Sequence, residues 1–400
     1  MNKLENLIKE LCPNGVEYVK LGDVCTITKG KTPIQKAIPG EYPLVVTTSE
    51  RKSCNTYQFD SSAVCIPLVS SRGHGVASLN HVYFQSGKFA LGNILCAVIP
   101  NDESVLSANF LYHYLEYKKD ILLVPLMKGG ANVSLHIDDI QRVKIPLPPI
   151  EVQNRTIKIL DKFIELSEEL KKELLARQNQ YKYYRDLLLN FGVHGGATNG
   201  CEWRTIGEVF DVRNGYTPSK ANSAYWENGT VPWFRMDDIR ENGRILSDSI
   251  QHITDEGVKK SGAFPANSLI MSTTATIGEH ALIKTDFVCN QQITCFSLKK
   301  EYKNNIDIKF IFYLFFGFGE WCKNNVNKGG GLPIINTAKL ATYKIPVPPI
   351  SEQTRIVSIL DCFDKLCNDI SEGLPAEIEA RRKQYEYYRD KLLSFEEVKV

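Results

Sequence analysis

The sequence predicts an α+β protein: two globular α+β domains separated by two long helices packed as an antiparallel coiled coil, in a pseudo-two-fold internal repeat. Three observations carry this reading. The chain repeats itself, each repeat closes with a long tract of helical periodicity, and each opens with a block of short β-rich runs. Val143–Ile150 reads VKIPLPPI and Tyr343–Ile350 reads YKIPVPPI, an offset of 200, and the match continues through Gln153 and Gln353, Asp161 and Asp361, and Phe163 and Phe363. After four extra residues in the second copy, YKYYRD at Tyr181 returns as YEYYRD at Tyr385. The front of each half repeats at an offset of 185, with Leu21, Gly30, Thr32 and Pro33 answered by Ile206, Gly215, Thr217 and Pro218. Between these edges the halves barely align, so the repeat keeps a frame and varies its contents.

The helical tracts come next. No Pro or Gly occurs from Gln153 to Asn190, and apolar residues recur at alternating spacings of four and three. Ile159, Phe163, Leu166, Leu170, Tyr181, Tyr184 and Leu188 form one seam, and Ile359, Phe363, Leu366, Ile370, Tyr385, Tyr388 and Leu392 the other. At the helical rise the first tract makes a rod of about 57 Å. A single exposed stripe of that length would leave apolar surface in water, so each seam needs a partner and the other is its nearest candidate. The four inserted residues bring Gly373 and Pro375, which predict a kink or break near 371–375 in the second rod. Tyr183, Tyr184, Tyr387 and Tyr388 read as core and rod-packing residues.

The blocks ahead of the tracts hold strand-like runs such as Ala63–Val69, Ile94–Ile99, Ser268–Ser272 and Ile293–Leu298, with short helices near Phe110 and Lys309. Pro146, Pro148 and Pro149, and Pro346, Pro348 and Pro349, read as stiff extended connectors. The expected boundaries are a first domain at 1–145 with a short N-terminal helix, a central helix at 146–191, a linker at 192–200, a second domain at 201–345 and a C-terminal helix at 346–396.

Composition narrows the function. Hydrophobic residues make up 43% of the 400, enough to fill two or more cores. The N-terminus lacks an apolar signal-peptide core, and the run Phe310–Trp321, interrupted by Gly317 and Gly319, is too short to cross a bilayer. No membrane role and a cytoplasmic location are expected. The 11 cysteines form no Cys-x-x-Cys pair and read as small buried hydrophobes in a reducing compartment. A net charge of +2 means that any nucleic-acid surface must be a local concentration of Lys and Arg.

Catalytic signatures are missing. Gly30-Lys31-Thr32 resembles the end of a phosphate-binding loop, but Cys25 stands where that loop needs Gly. The Pro-Pro pairs follow Leu147 and Val347 and precede Ile, whereas an adenine methyltransferase loop needs Asp or Asn before and an aromatic after. Glu116, Glu169 and Glu301 each begin a Glu-x-Lys triplet of the kind common on helix surfaces, and the seven histidines show no metal-ligand spacing. No catalytic or metal-binding residue is therefore expected.

Two unlike globular domains held by a rigid spacer suit recognition of two DNA segments at once, because linkage makes the second contact intramolecular. Pro149–Arg155 and Pro349–Arg355, the run Leu374–Leu393, and the twice-used order of variable block then helix resemble the specificity subunits of type I restriction-modification systems. In the second block, Trp233–Ile239, Leu269–Gly278, Cys289–Ile293 and Asn327–Gly330 are similar to that family's framework segments; Val69–Gly75 and Met127–Asn132 are looser counterparts in the first. The resemblance implies two target-recognition domains, each reading one part of a split, asymmetric site in double-stranded DNA. It also implies two methylation subunits, which bring S-adenosylmethionine chemistry, and restriction subunits that use ATP, with Mg expected on the partners and no cofactor on this chain.

Polar residues beside the loop glycines are the expected DNA contacts, Lys and Arg for phosphates and Arg, Asn, Gln, Ser and Thr for base edges. The first domain offers Lys29, Lys31, Thr32, Ser70, Ser71, Arg72, His74, Lys128 and Asn132. The second offers Arg213, Thr217, Ser219, Lys220, Arg235, Thr273, Thr274, Gln291, Gln292 and Lys328. The alternative reading is an orphan or decoy coiled-coil protein that captures methylation subunits without reading DNA. A stand-alone enzyme would have to show turnover on its own.

Overall fold

The computed structural model describes residues 10–192, 201–327, 333–369 and 372–398. Most of the expected N-terminal helix, the linker from 193 onward, Lys328 and Ile370 lie outside the described residues. The chain divides into two compact units, Met1–Lys172 with Glu377–Val400, and Glu173–Ala376.

The first unit contains β1 (Tyr18–Lys20), α1 (Leu21–Val24), β2 (Cys25–Lys29), β3 (Tyr42–Val45), β4 (Lys52–Cys54), β5 (Phe59–Asp60), β6 (Ala63–Pro67), β7 (Tyr83–Gln85), β8 (Lys88–Leu91), β9 (Leu95–Pro100), α2 (Ala108–Leu122), α3 (Ile137–Gln141) and β10 (Lys144–Pro146). An antiparallel sheet of order β2-β9-β6-β7 lies against a second sheet of order β4-β3-β8-β5. Every residue of β6 is buried because both its faces are covered. Val64 and Ile66 face α2, with Phe110, Leu111, Tyr114 and Leu115, while Ala63 and Cys65 meet Phe59, Phe89 and Leu91 of the second sheet. The α2 helix starts at Ser107, whose hydroxyl accepts from the Phe110 N–H.

The second unit repeats the plan with β11 (Glu202–Thr205), α5 (Ile206–Val209), β12 (Phe210–Asn214), β13 (Val231–Phe234), α6 (Met236–Asn242), β14 (Ile245–Leu246), β15 (His252–Ile253), β16 (Ser268–Ser272), β17 (His280–Ile283), β18 (Val288–Cys289), β19 (Ile293–Leu298), α7 (Ile308–Asn324), α8 (Thr337–Ala341) and β20 (Lys344–Val347). Between the two sets in the sequence stands α4 (Ile150–Leu188). The main sheet runs β12-β19-β16-β17-β14, and a smaller one β15-β13-β18. Leu269 and Met271 of β16 pack toward the Phe-rich α7, and Ile270 packs toward Phe234 and Phe287. The α7 helix continues through Gly317 and Gly319. Gly319 has a packing reason, since a Cβ there would lie 2.6 Å from the Gly278 carbonyl oxygen. The proline connectors are more than spacers: β10 pairs with β1, and β20 with β11.

The long tracts are α4 (Ile150–Leu188), α9 (Ile350–Asn368) and α10 (Leu374–Leu392). In the first unit, Leu160 of α4 shares a core with Leu392 and Leu393, and one turn further Phe163 stacks on Tyr388 at 5.2 Å, so α4 and α10 run in opposite directions. The second unit shows the same pairing with α4 and α9. Leu188 and Leu360 share a core there, and Phe363 stacks on Tyr184 at 5.7 Å and Tyr181 at 6.3 Å. Ile159, Leu166, Leu170, Ile359 and Tyr385 are half-buried, whereas Leu366 is exposed and Cys367 takes the buried position. Tyr183 and Tyr387, expected in the packing, are instead 63% and 61% exposed, each edge-on to the next Tyr; of those two, Tyr388 is half-buried, and Tyr184 stacks on Phe363 while remaining 38% exposed. Between α9 and α10, Gly373 closes against the Asp369 carbonyl, where a Cβ would come within 2.6 Å.

Repeated side chains fasten each set of strands to its helix. Gln153 is fully buried; its Oε1 accepts from Ser107 N–H (2.9 Å) and its Nε2 donates to the carbonyls of Val105 and Pro148 (2.8 Å each). Gln353 makes the same set with Asp307 N–H and the carbonyls of Asn305 and Pro348. Asp161 receives His113 and Asn109, and Asp361 receives Tyr313 and Lys309.

Candidate nucleic-acid interface

One end of each main sheet collects the loops where the sequence placed its candidate contacts. In the first unit β2 ends opposite the start of β9, which lies opposite the end of β6. The Gly30 N–H donates to the Leu95 carbonyl (2.9 Å), Leu68 N–H to Ile94 (2.8 Å), Leu135 N–H to Leu68 (2.9 Å) and Gly92 N–H to Val45 (3.0 Å). The second unit reproduces each bond: Gly215 to Ile293 (2.9 Å), Thr273 to Gln292 (3.0 Å), Ile335 to Thr273 (3.2 Å) and Asn290 to Phe234 (3.1 Å). Gly30 and Gly215 are forced by this frame, because a Cβ on either would lie 2.2 Å from the carbonyl of Gly92 or Cys289.

The side chains on that shared frame differ. In the first unit Thr32 bonds to Leu91 and Asn93 through its backbone, and Gln58 bridges the Lys31 N–H and the Lys29 carbonyl. Lys29, Lys31, Ser71, Arg72, His74 and Asn132 are exposed. The loop carrying Ser70, Ser71, Arg72 and His74 is braced by Ser70 N–H on the Val133 carbonyl (3.0 Å) and by Ser71 on Ser78, which brings it against the turn holding Lys128 and Asn132. His74 takes a left-handed φ of 61° beside Gly75. The Lys128 ammonium, though exposed, contacts Asp139 at 3.1 Å.

In the second unit the Thr217 hydroxyl donates to Gln291, while Gln291 and Gln292 are exposed beside it. Thr273 is buried under them, and Thr274 bridges to Ile334, its buried hydroxyl having no hydrogen-bond partner among the described residues. Ser219 offers its carbonyl to Trp226, and Lys220 next to it is exposed. One expected contact points elsewhere. Arg213 lies on the opposite face of the sheet, over the Phe264 ring at 4.6 Å and bonded to the Ser261 carbonyl (3.1 Å). Arg235 stacks toward Trp233 and approaches Asp237 at 3.6 Å. Alternation along β12 turns Asn214, not Arg213, toward the face that Lys29 uses in the first unit. Asn214 stands 185 positions after Lys29, the offset already visible in the sequence.

Among the described residues no cluster of His, Cys, Asp or Glu has the arrangement of a metal site, and no helix is long and apolar enough to cross a membrane. The type I restriction modification DNA specificity domain matches the chain twice, over residues 13–177 and 199–380. The chain belongs to this family. A type I restriction enzyme specificity subunit of Escherichia coli is 41% identical over 309 residues, covering 74% of this chain and 72% of that one. The EcoprrI specificity subunit of the same species is 47% identical over 206 residues, a match spanning about half of each chain, 50% and 51%. A putative specificity subunit of Haemophilus influenzae is 28% identical over 392 residues, 95% of this chain and 96% of that one. Among solved structures, the type I S subunit from M. genitalium aligns with a TM-score of 0.60 at 13% identity, over 95% of this chain and 96% of that chain. The HsdS subunit from Thermoanaerobacter tengcongensis gives 0.53 at 18%, over 96% and 97%. At these identities the structural likeness is one of fold, and it extends over both repeats of this family member.

Proposed function

We propose that this chain is the DNA-reading subunit of a type I restriction-modification complex. Its two target-recognition domains each read one part of a bipartite, asymmetric duplex site, and its helices scaffold two methylation subunits and the restriction subunits. The observation that carries the reading is the sheet end just described: one backbone hydrogen-bond frame, built twice, presents different polar side chains. A protein with a single ligand has no use for that difference, and a reader of two unlike half-sites requires it. The chain supplies recognition and no catalysis of its own. S-adenosylmethionine, ATP and Mg belong to the partners, and the complex works in the cytoplasm.

The test is binding of the chain with its methylation partner to a randomised duplex pool at two salt concentrations. Selection of one split sequence with a fixed spacing supports the reading. Equal retention of every duplex, with binding lost uniformly as salt rises, contradicts it.

A further inference from the structure

The geometry points to Asn214 as a base-reading residue of the second domain, with Thr294 and Thr273 as the residues that position its carboxamide and Lys29 as its counterpart in the first domain. This inference rests on the DNA-reading function proposed above. Asn214 is the exposed last residue of β12, directly opposite Thr294 on β19. The Thr294 hydroxyl donates to Asn214 Oδ1 at 2.7 Å, lies 3.2 Å from the Thr273 hydroxyl, and Thr273 Oγ1 is in turn 3.3 Å from the Gln292 carbonyl. Thr294 and Thr273 are buried, beside the core formed by Phe210, Phe296 and Met271, and Asn214 is the exposed end of the chain of polar groups.

The fold does not need those hydroxyls. At the same register the first domain has Lys29 opposite Cys96, with Leu68 in the place of Thr273, and the surrounding backbone bonds are unchanged. Burying a hydroxyl is unfavourable unless it is hydrogen-bonded, so two threonines at a position that accepts cysteine and leucine have a local purpose. That purpose is the one exposed side chain they hold. With Oδ1 engaged, it is the amide N–H groups of exposed Asn214 that would donate to an acceptor on a base edge, such as purine N7 or O6. Lys29 presents a mobile point charge at the matching place. The two domains therefore differ in recognition chemistry at one equivalent position.

The experiment uses the full chain assembled with its methylation partner and S-adenosylmethionine, and reads adenine methylation over a duplex library. Asn214→Ala should weaken discrimination about tenfold at one base position in one half-site and leave the other half-site unchanged. The near-isosteric Asn214→Asp, which loses the donors, should do the same. Thr294→Val should relax that same position partially, a readout that a merely structural threonine would not give, since lost stability lowers methylation of all sequences together. Wild-type discrimination at every position in Asn214→Ala and Asn214→Asp overturns the assignment, as does an equal loss at all positions. A wild-type complex that methylates without any sequence preference overturns the function on which the inference rests.

Discussion

Gln153 and Gln353 stand 200 positions apart and make the same three hydrogen bonds, tying the strand domain, the proline connector and the first helical turn together. Replacing either with Leu removes the partner of one part-buried N–H, one part-buried carbonyl and one buried carbonyl, the buried one alone costing about 1–3 kcal/mol. Gln353→Leu should therefore lower the melting temperature of its unit by several degrees, and Gln153→Leu that of the other, as followed by calorimetry. A second residue-scale prediction concerns pH. His280 is fully buried among Phe312, Phe315 and Phe316, and burial, followed by the charge of Arg244, lowers its pKa from the usual 6.5 to about 3. The unfolded chain binds the proton first, so this contribution is complete above pH 6.5 and is lost as pH falls toward about 3, at up to ~1.4 kcal/mol per pH unit. Melting curves at pH 7.5, 6.5 and 5.5 should show the loss, and His280→Phe should make it shallower. Both glutamines were legible from the repeat, but their bonds were not, because the partners are main-chain groups far along the sequence. His280 was illegible for a related reason: spacing excludes a metal site and says nothing about which ring ends in a phenylalanine cluster.

The helices were the most legible elements, since a seam repeating at four and three residues admits few alternatives. Phe163 on Tyr388 and Phe363 on Tyr184 are the two equivalent contacts that seam predicts. Tyr183 and Tyr387 were misplaced because adjacent tyrosines cannot both face one partner, and the sequence does not say which turns outward. Tyr184→Asp puts a charge against Phe363 and should destabilise the second unit by about 1–3 kcal/mol, whereas Tyr183→Asp, on the more exposed neighbour with no stacking partner across the helices among the described residues, should change it by less than about 0.5 kcal/mol. Equal melting temperatures for the two variants would show that Tyr184 does not pack. The strands followed apolar runs and turn residues, so the buried cores of β6 and β16 were found, while short strands such as β14 and β15 were not. Their pairing depends on tertiary partners rather than local pattern. The same limit explains Arg213: alternation along β12 sends it to the far face, and the face could be assigned only once the register with β19 was known.

At the scale of the whole molecule, one backbone frame is used twice with different contents. In the proposed function, cations at the sheet ends supply affinity without sequence information. Lys31→Ala should therefore weaken binding evenly across duplexes and reduce the slope of log affinity against log salt by about 1. In the same proposal, polar side chains on that frame supply the sequence preference, one set to each domain. The most direct test is sequencing of adenine methylation in a host carrying the complete system with either wild-type chain, Arg72→Ala or Gln292→Ala. The account predicts a split motif of two unequal parts at fixed spacing, with Arg72→Ala altering one part only and Gln292→Ala the other only. Both parts changing together, or a wild-type motif in a single uninterrupted block, would contradict it.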